Sequence, residues 1–255
     1  MTPLVREQPF SKTSAQEADW FEEWFGVDYL RIYQHRDETD AVRAIALIES
    51  NLAGRRIESV LDLGCGAGRH TRLLEERWWT VGLDLSMSLL RVARRETEQS
   101  PYVRADMREL PFTSDSFDLV VNLFTSFGYF DDDREHVRVL NCVGASMTSG
   151  GTLVIDFLNA AQVRHSLVPY DERFENGITI EQRRQISPDN RFVEKQITLR
   201  ERGKEYIERV RLLSPKDLER MLITAGFQVV KVFGDYEGRN WSETSPRTIM
   251  FANRQ

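Results

Sequence analysis

The chain has 255 residues, a formal net charge of −6 and only two cysteines, Cys65 and Cys142. That length can bury one sizeable core, or a domain with an insert, and the acidic balance leaves no basic footprint, so nucleic acid is not an expected partner. Two lone cysteines exclude a disulfide framework, no apolar run reaches membrane-spanning length, and the opening "MTPLVREQPF" lacks a basic-then-apolar leader pattern, so the expectation is a cytoplasmic protein with no membrane partner.

The first patterned stretch is "ADWFEEWFGVDYLRIYQHRD", residues 18–37, with Trp20, Phe21, Trp24 and Phe25 at helical spacing and Tyr29 and Tyr33 four apart. It predicts a helix that lays an aromatic face on the domain that follows. In "SVLDLGCGAGRHTRLL", residues 59–74, the apolar run Val60, Leu61 and Leu63 precedes Gly64, Gly66 and Gly68, and Leu73 and Leu74 then alternate with charge. This is strand, tight glycine turn, helix, a unit that leaves bare backbone N–H groups at a helix start and lets a ligand approach the chain closely. "WTVGLDLS" reads as a second strand and "MSLLRVARRETEQ" as a helix with Ser86 as its N-cap. "YVRAD", "FDLVVNLF", a helix over roughly 134–147 and "GGTLVIDFL" continue the alternation, which implies a parallel sheet with helices on both faces.

From about Gln162 to Leu213 the pattern changes. "GITIEQRRQI", "RFVEKQITLRE" and "YIERVRLL" alternate apolar with polar residues around the turn segments "SPDN" and "RGKE", which predicts a three-strand antiparallel meander. Leaving after the fifth strand, it can overhang the strand ends and select a substrate, or it can serve as a homodimer contact. Its Arg183, Arg184, Arg200, Arg202, Arg209 and Arg211 are interleaved with glutamates and read as a solvated strand face. The four histidines lack metal-ligand spacing, so no metal is expected.

Asp62, Asp84 and Asp106 follow one another at intervals of 22 residues, about one βα unit, which brings three carboxylates to the carboxyl ends of successive strands, where open α/β sheets bind ligands. Asp84 is suited to hold both hydroxyls of a ribose, and Asp106 with the Met107 amide to read an adenine edge. A nicotinamide dinucleotide would set its pyrophosphate beside Asp62, and the third glycine arrives one residue early for that fingerprint. An adenosine cofactor with an amine at its other end, S-adenosylmethionine, suits the residues better.

"VLDLGCGAGRH", "VGLDLS", "RADMRELPF", "FDLVVNLFTSFGYF" and "GGTLVIDFLN", in this order, resemble the motifs of the class I S-adenosylmethionine-dependent methyltransferases, in particular the branch acting on small molecules. The resemblance covers roughly 59–159 and, more loosely, 214–253. It implies a doubly wound, Rossmann-like α/β fold with a seven-stranded mostly parallel sheet whose last strand is antiparallel, the final two strands coming from "FQVVKVFGDY" and "RTIMFANR". The implied organisation is an N-terminal helical cap over 1–58, a methyltransferase core over 59–159 and 214–255, and a small antiparallel β insert over 160–213. The loop of Gly64, Cys65, Gly66 and Gly68 would lie along the methionine part of the cofactor, with Asp62 at its amino end. Asp84 would hold the ribose, Leu85 pack on the adenine, Asp106 and Met107 read the adenine edge, and Asn122 and Leu123 line the cleft near the sulfonium. The N-terminal helix would form a lid, with Tyr33 or Arg36 reaching the methionine carboxylate. The implied activity is methyl transfer to a nitrogen, oxygen or carbon nucleophile of a small-molecule acceptor, with no catalytic base identifiable. Two readings stay open beside it: a non-catalytic cofactor-binding regulatory subunit of the same fold, and a nicotinamide-dependent oxidoreductase.

Overall fold

The computed structural model describes residues 20–32, 38–97 and 99–255. Two short helices come first, α1 (Trp20–Trp24) and α2 (Val27–Ile32), followed by α3 (Glu38–Asn51). Where aromatic spacing predicts one helix, the chain turns between α1 and α2: the Gly26 N–H donates to the Trp24 carbonyl at 2.7 Å, and the Phe25 carbonyl accepts from the Ser86 hydroxyl. Glycine is a poor helix former, and the outside donor replaces the helical partner that Phe25 would otherwise need.

The core then alternates: β1 (Ser59–Leu63), α4 (Arg69–Glu75), β2 (Trp79–Asp84), α5 (Met87–Glu96), β3 (Tyr102–Arg104), β4 (Phe117–Asn122), α6 (Asp133–Ser146) and β5 (Met147–Leu158). Ser86 caps α5 as expected, its hydroxyl accepting from the Leu89 N–H at 3.2 Å. A short helix that the pattern did not announce, α7 (Ala160–Ser166), leads into β6 (Tyr170–Glu175), β7 (Ile178–Ile186), β8 (Phe192–Leu199) and β9 (Lys204–Arg211). The chain closes with α8 (Pro215–Thr224), β10 (Phe227–Phe233) and β11 (Arg247–Arg254).

The strands form a seven-stranded sheet in the order β10-β11-β5-β4-β1-β2-β3, in which only β11 runs against its neighbours, and a four-stranded antiparallel sheet in the order β6-β7-β8-β9. Alternation along the strands divides the core into two layers. Val60, Leu119, Val121 and Val154 face Ile45 and Ile48 of α3 and Leu74 of α4. Leu61, Val120 and Ile155 face Val139 and Val143 of α6 and Leu218 and Leu222 of α8. Trp78, which stands where a helix-ending glycine would be natural, packs partly buried against the first of these layers.

The meander has four strands rather than three. The added β6, "YDERFE", is an edge strand whose side chains are mostly charged, so apolar alternation could not reveal it. Three of the arginines expected to be solvated are not: Arg184 is half-buried and pairs with Asp171. Arg209 and Arg211 hold Asp131 and Asp133 on the loop before α6 and at its start, and the Arg209 guanidinium lies 3.6 Å from the Phe192 ring centroid. With the Arg211 N–H donating to the Gly128 carbonyl at 2.8 Å, they bolt the end of β9 to the loop that follows β4.

The N-terminal helices pack on this second sheet. Trp24, Ile32, Ile180, Ile197, Leu199 and Tyr206 form a separate small core. Beside it the Asp28 carboxylate, 6% exposed, accepts from Lys204 Nζ at 2.8 Å and Tyr206 Oη at 2.7 Å and pairs with Arg202. Burial would raise that carboxyl; the lysine and tyrosine donors more than offset it and hold it below the usual range.

Candidate functional site

The carboxyl edge of the large sheet opens into a cavity of about 1220 Å³. A single-ligand pocket measures roughly 300–1,000 Å³, so this one has room for two molecules. The glycine loop forms one wall. Gly66 has φ +57°, and a β-carbon there would meet no atom closer than a Leu89 methyl at 3.8 Å, so its bare backbone faces the cavity. Gly68, φ +79°, is required for the opposite reason: a β-carbon would stand 2.6 Å from Tyr102 Oη.

Asp84, at the end of β2, locks the loop to the neighbouring strand. Its Oδ2 accepts the Gly66 N–H and its Oδ1 the Ser86 N–H, both at 2.8 Å, and the residue lines the cavity. Burial raises its carboxyl above the usual range, and these amide donors work against that rise. Leu85 and Met107 line the same wall. Asp106 does too, its carboxylate gripped by Arg108 through Nε at 3.0 Å to both oxygens and Nη2 at 2.6 Å. Burial would lift the Asp106 carboxyl, and Arg108 overcomes it and keeps the group ionised. Arg108 in turn stacks 4.7 Å from the Phe130 ring centroid.

Gly64, Cys65, Gly66, Asp84, Leu85, Asp106, Met107 and Leu123 all line the cavity. Asp62, Gly68 and Asn122 lie behind its wall, and Tyr33 and Arg36 fall outside the described residues. The equal 22-residue spacing conceals a stagger: Asp62 pairs in register with Gly82, two residues below Asp84, and Asp106 lies two residues beyond Arg104, the partner of Asp84. Asp62 is therefore enclosed, accepts the Thr71 hydroxyl at 2.7 Å, and is pushed up to about 7 by burial, with Asp84 adding to the rise. Asn122 donates to the Leu63 carbonyl at 2.8 Å next to Gly64, while its Oδ1 is buried without a partner, an acceptor that a bound ammonium could satisfy. These features fit an adenosine cofactor with an amino end.

Residues 60–151 match the family model described as methyltransferase domain. Over the ends of β1 to β4, this matched segment supplies the glycine loop, Asp84 and Asp106 described above. The chain is 40% identical over 89 residues to the malonyl-[acyl-carrier protein] O-methyltransferase of Enterobacter lignolyticus, covering 34% of this chain and 35% of that one. It is 29% identical over 148 residues to the dTDP-3-amino-3,6-dideoxy-alpha-D-glucopyranose N,N-dimethyltransferase of Streptomyces fradiae, covering 58% and 54%. The chain thus spans about a third to a half of the length of these curated relatives. Its fold matches an S-adenosylmethionine-dependent methyltransferase from Clostridium acetobutylicum with a TM-score of 0.76 at 17% identity, over 92% of this chain and 98% of the other. The chain has the fold of that S-adenosylmethionine-dependent methyltransferase.

The rest of the cavity comes from the aromatic N-terminal stretch expected as a lid and from residues that motif reading missed. Phe25 and Tyr29 of the N-terminal helices, Tyr129 and Phe130 after β4, Lys195 and Glu208 of the second sheet, and Arg247 of β11 all line it. Phe25 and Tyr129 stack with ring centroids 5.6 Å apart, and Phe21 meets Phe130 edge-on at 6.1 Å, closing an aromatic seam between cap and core. For Arg247 the available signal was Asp156, a carboxylate inside the apolar "TLVIDFL" strand. Among the described residues no helix is long and apolar enough to cross a membrane.

Proposed function

We propose that the protein transfers a methyl group from S-adenosylmethionine to a nitrogen or oxygen nucleophile of a small molecule by in-line displacement. The observation that carries this reading is one cavity large enough for two ligands, with the glycine loop, Asp84 and Asp106 on one side of it. When bound, S-adenosylmethionine supplies a methyl group already activated on a sulfonium, so the protein needs chiefly to align the acceptor and exclude water. In this reading Asp84 accepts from the ribose hydroxyls, Leu85 packs on the adenine, and Asp106 with the Met107 amide takes the adenine edge. Asp62 supports the loop through Thr71; Gly64, Cys65 and Gly66 give the methionine part close access to backbone, and Gly68 lets the loop close on Tyr102. Asn122 and Leu123 border the position of the sulfonium. Phe25, Tyr29 and Tyr129 shut out water, and the second sheet roofs the acceptor position.

Calorimetry tests the cofactor and a label tests the transfer. S-adenosylhomocysteine should bind and NAD should not, and methyl-labelled S-adenosylmethionine with a small-metabolite pool should give labelled product. Binding of NAD in place of S-adenosylhomocysteine would overturn the reading, and binding without transfer would make the protein a regulatory subunit.

A further inference from the structure

The strand order gives the cavity two differently built walls. The glycine loop, Asp84 and Asp106 follow β1, β2 and β3, on one side of the sheet centre. On the other side the edge is built by β4, β5 and β11, and because β11 is antiparallel its first residue, Arg247, stands at that same edge, paired with Leu158. Arg247 lines the cavity. Its Nε donates to Asp156 Oδ1 at 2.7 Å, and its Nη2 donates to Thr125 Oγ1 at 3.0 Å and the Asp156 carbonyl at 3.3 Å. The other terminal nitrogen, Nη1, donates to no acceptor among the described residues.

The negative partner of this pair is sealed away from the cavity. Asp156 is 1% exposed, and its second oxygen accepts from the Phe124 N–H and the Tyr236 hydroxyl, both at 2.8 Å. Those bonds also hold Phe124 and Thr125 at φ +58° and +63°, a left-handed backbone that neither residue adopts readily, so the corner carrying the guanidinium is over-determined. The guanidinium sits 5.4 Å from the Phe124 ring centroid, and that of Arg69 lies 4.8 Å from the same centroid. Overhead, Glu208 is paired to Lys195 at 2.8 Å, and besides Asp156 the carboxylate of Asp40 on α3 acts on Arg247.

We propose that this half of the cavity binds an acceptor carrying an anionic group, a carboxylate or a phosphate, which takes a charge-assisted hydrogen bond from Arg247. The inference rests on the methyltransferase reading of the cavity and adds the chemical class of its acceptor. The anion anchors the molecule, and the nucleophile is a separate group placed toward the methyl donor. A guanidinium with its back fixed by a buried carboxylate and its front on the cavity is pre-organised for this purpose.

Protein saturated with S-adenosylhomocysteine is titrated calorimetrically with succinate and, separately, with inorganic phosphate at constant ionic strength. Wild type should bind at least one, and which one separates carboxylate from phosphate. Arg247→Gln should weaken that anion tenfold or more while S-adenosylhomocysteine affinity stays within twofold. If Arg247→Gln alone does not fold, Asp156→Asn with Arg247→Gln, which leaves no uncompensated charge, replaces it with the same expected loss. A third readout uses wild type only: with methyl-labelled S-adenosylmethionine and a metabolite pool split on an anion exchanger, labelled product should arise from the retained fraction. Anion affinity unchanged in the variant, wild type that binds S-adenosylhomocysteine but neither anion, or product confined to the unretained fraction overturns the proposal. Wild type that fails to bind S-adenosylhomocysteine removes the cofactor reading instead.

Discussion

The two halves of the cavity are built by different means. The half proposed for the cofactor comes from consecutive βα units, and each of its side chains is placed by the strand it ends and the loop it borders: Asp84 holds the amide of Gly66 across one strand pair. The acceptor half is assembled from α1 and α2, the loop after β4, the second sheet and β11, segments up to 180 residues or more apart, tied by contacts such as Trp24 Nε1 to Glu208 at 3.1 Å and Arg247 to Asp156 at 2.7 Å. The contrast teaches that a shared chemistry can be carried by local sequence, whereas selectivity is left to surfaces that only the folded chain brings together.

The largest effect should come from severing the cap. Trp24 is 1% exposed and anchors the small core between α1 and β9. Trp24→Ala should cost about 3–5 kcal/mol of local stability. Hydrogen exchange should then quicken across α1, α2 and β9 while S-adenosylhomocysteine still binds. Loss of cofactor binding to the same extent would show that the two halves are not separable.

Acid should attack the seam between the halves. His136 is fully buried between Phe127 and Phe130, ring centroids 5.0 and 5.3 Å away, and burial pushes its imidazole down to about 4. Because the folded value lies below the ordinary 6.5, the neutral ring's contribution is fully present above pH 6.5 and is lost as pH falls toward 4, a loss of about 3 kcal/mol. Denaturant melts from pH 7 to 4 should show this slope in wild type and a flatter one in His136→Leu. Equal slopes would remove His136 as the cause.

Asp84→Ala sharpens the comparison from the cofactor side. It should lower S-adenosylhomocysteine affinity by about 2–3 kcal/mol, since charge-assisted bonds to the ribose disappear and Gly66 loses its acceptor. Hydrogen exchange in the second sheet should not change. Unaltered affinity would sink the ribose assignment.

The smallest effect is expected at the tie between α2 and β9. Asp28→Asn removes one charge from a carboxylate that serves Arg202, Lys204 and Tyr206 and should cost about 1–2 kcal/mol, read as faster exchange over 27–32. If exchange over those residues is unchanged, the aromatic core alone docks the helices.

Most of the core was legible because its signals are local. A buried parallel strand reads as an apolar run, a glycine loop as three glycines, a capped helix as Ser86 before an amphipathic stretch, and the count of seven strands with an antiparallel last one follows from the family resemblance. Eight of the residues proposed for the cofactor do line one cavity. The depth of each aspartate was not legible, because spacing along a chain carries no strand register, and register is what encloses Asp62 and leaves Asp84 open. Nor could the pattern show β6, whose edge position asks for no apolar face, or the break at Gly26, which an outside hydroxyl stabilises. By itself the sequence determined the alternating α/β core and the loop that ends β1, since period, turn chemistry and caps act over a few residues. Only the tertiary structure decided that Arg247 shares a cavity with Asp84, that Arg209 and Arg211 are joints rather than a wet face, and that α1 rests on β9. Those pairings follow from burial and charge compensation between segments far apart in the chain, and no short window of sequence contains both partners.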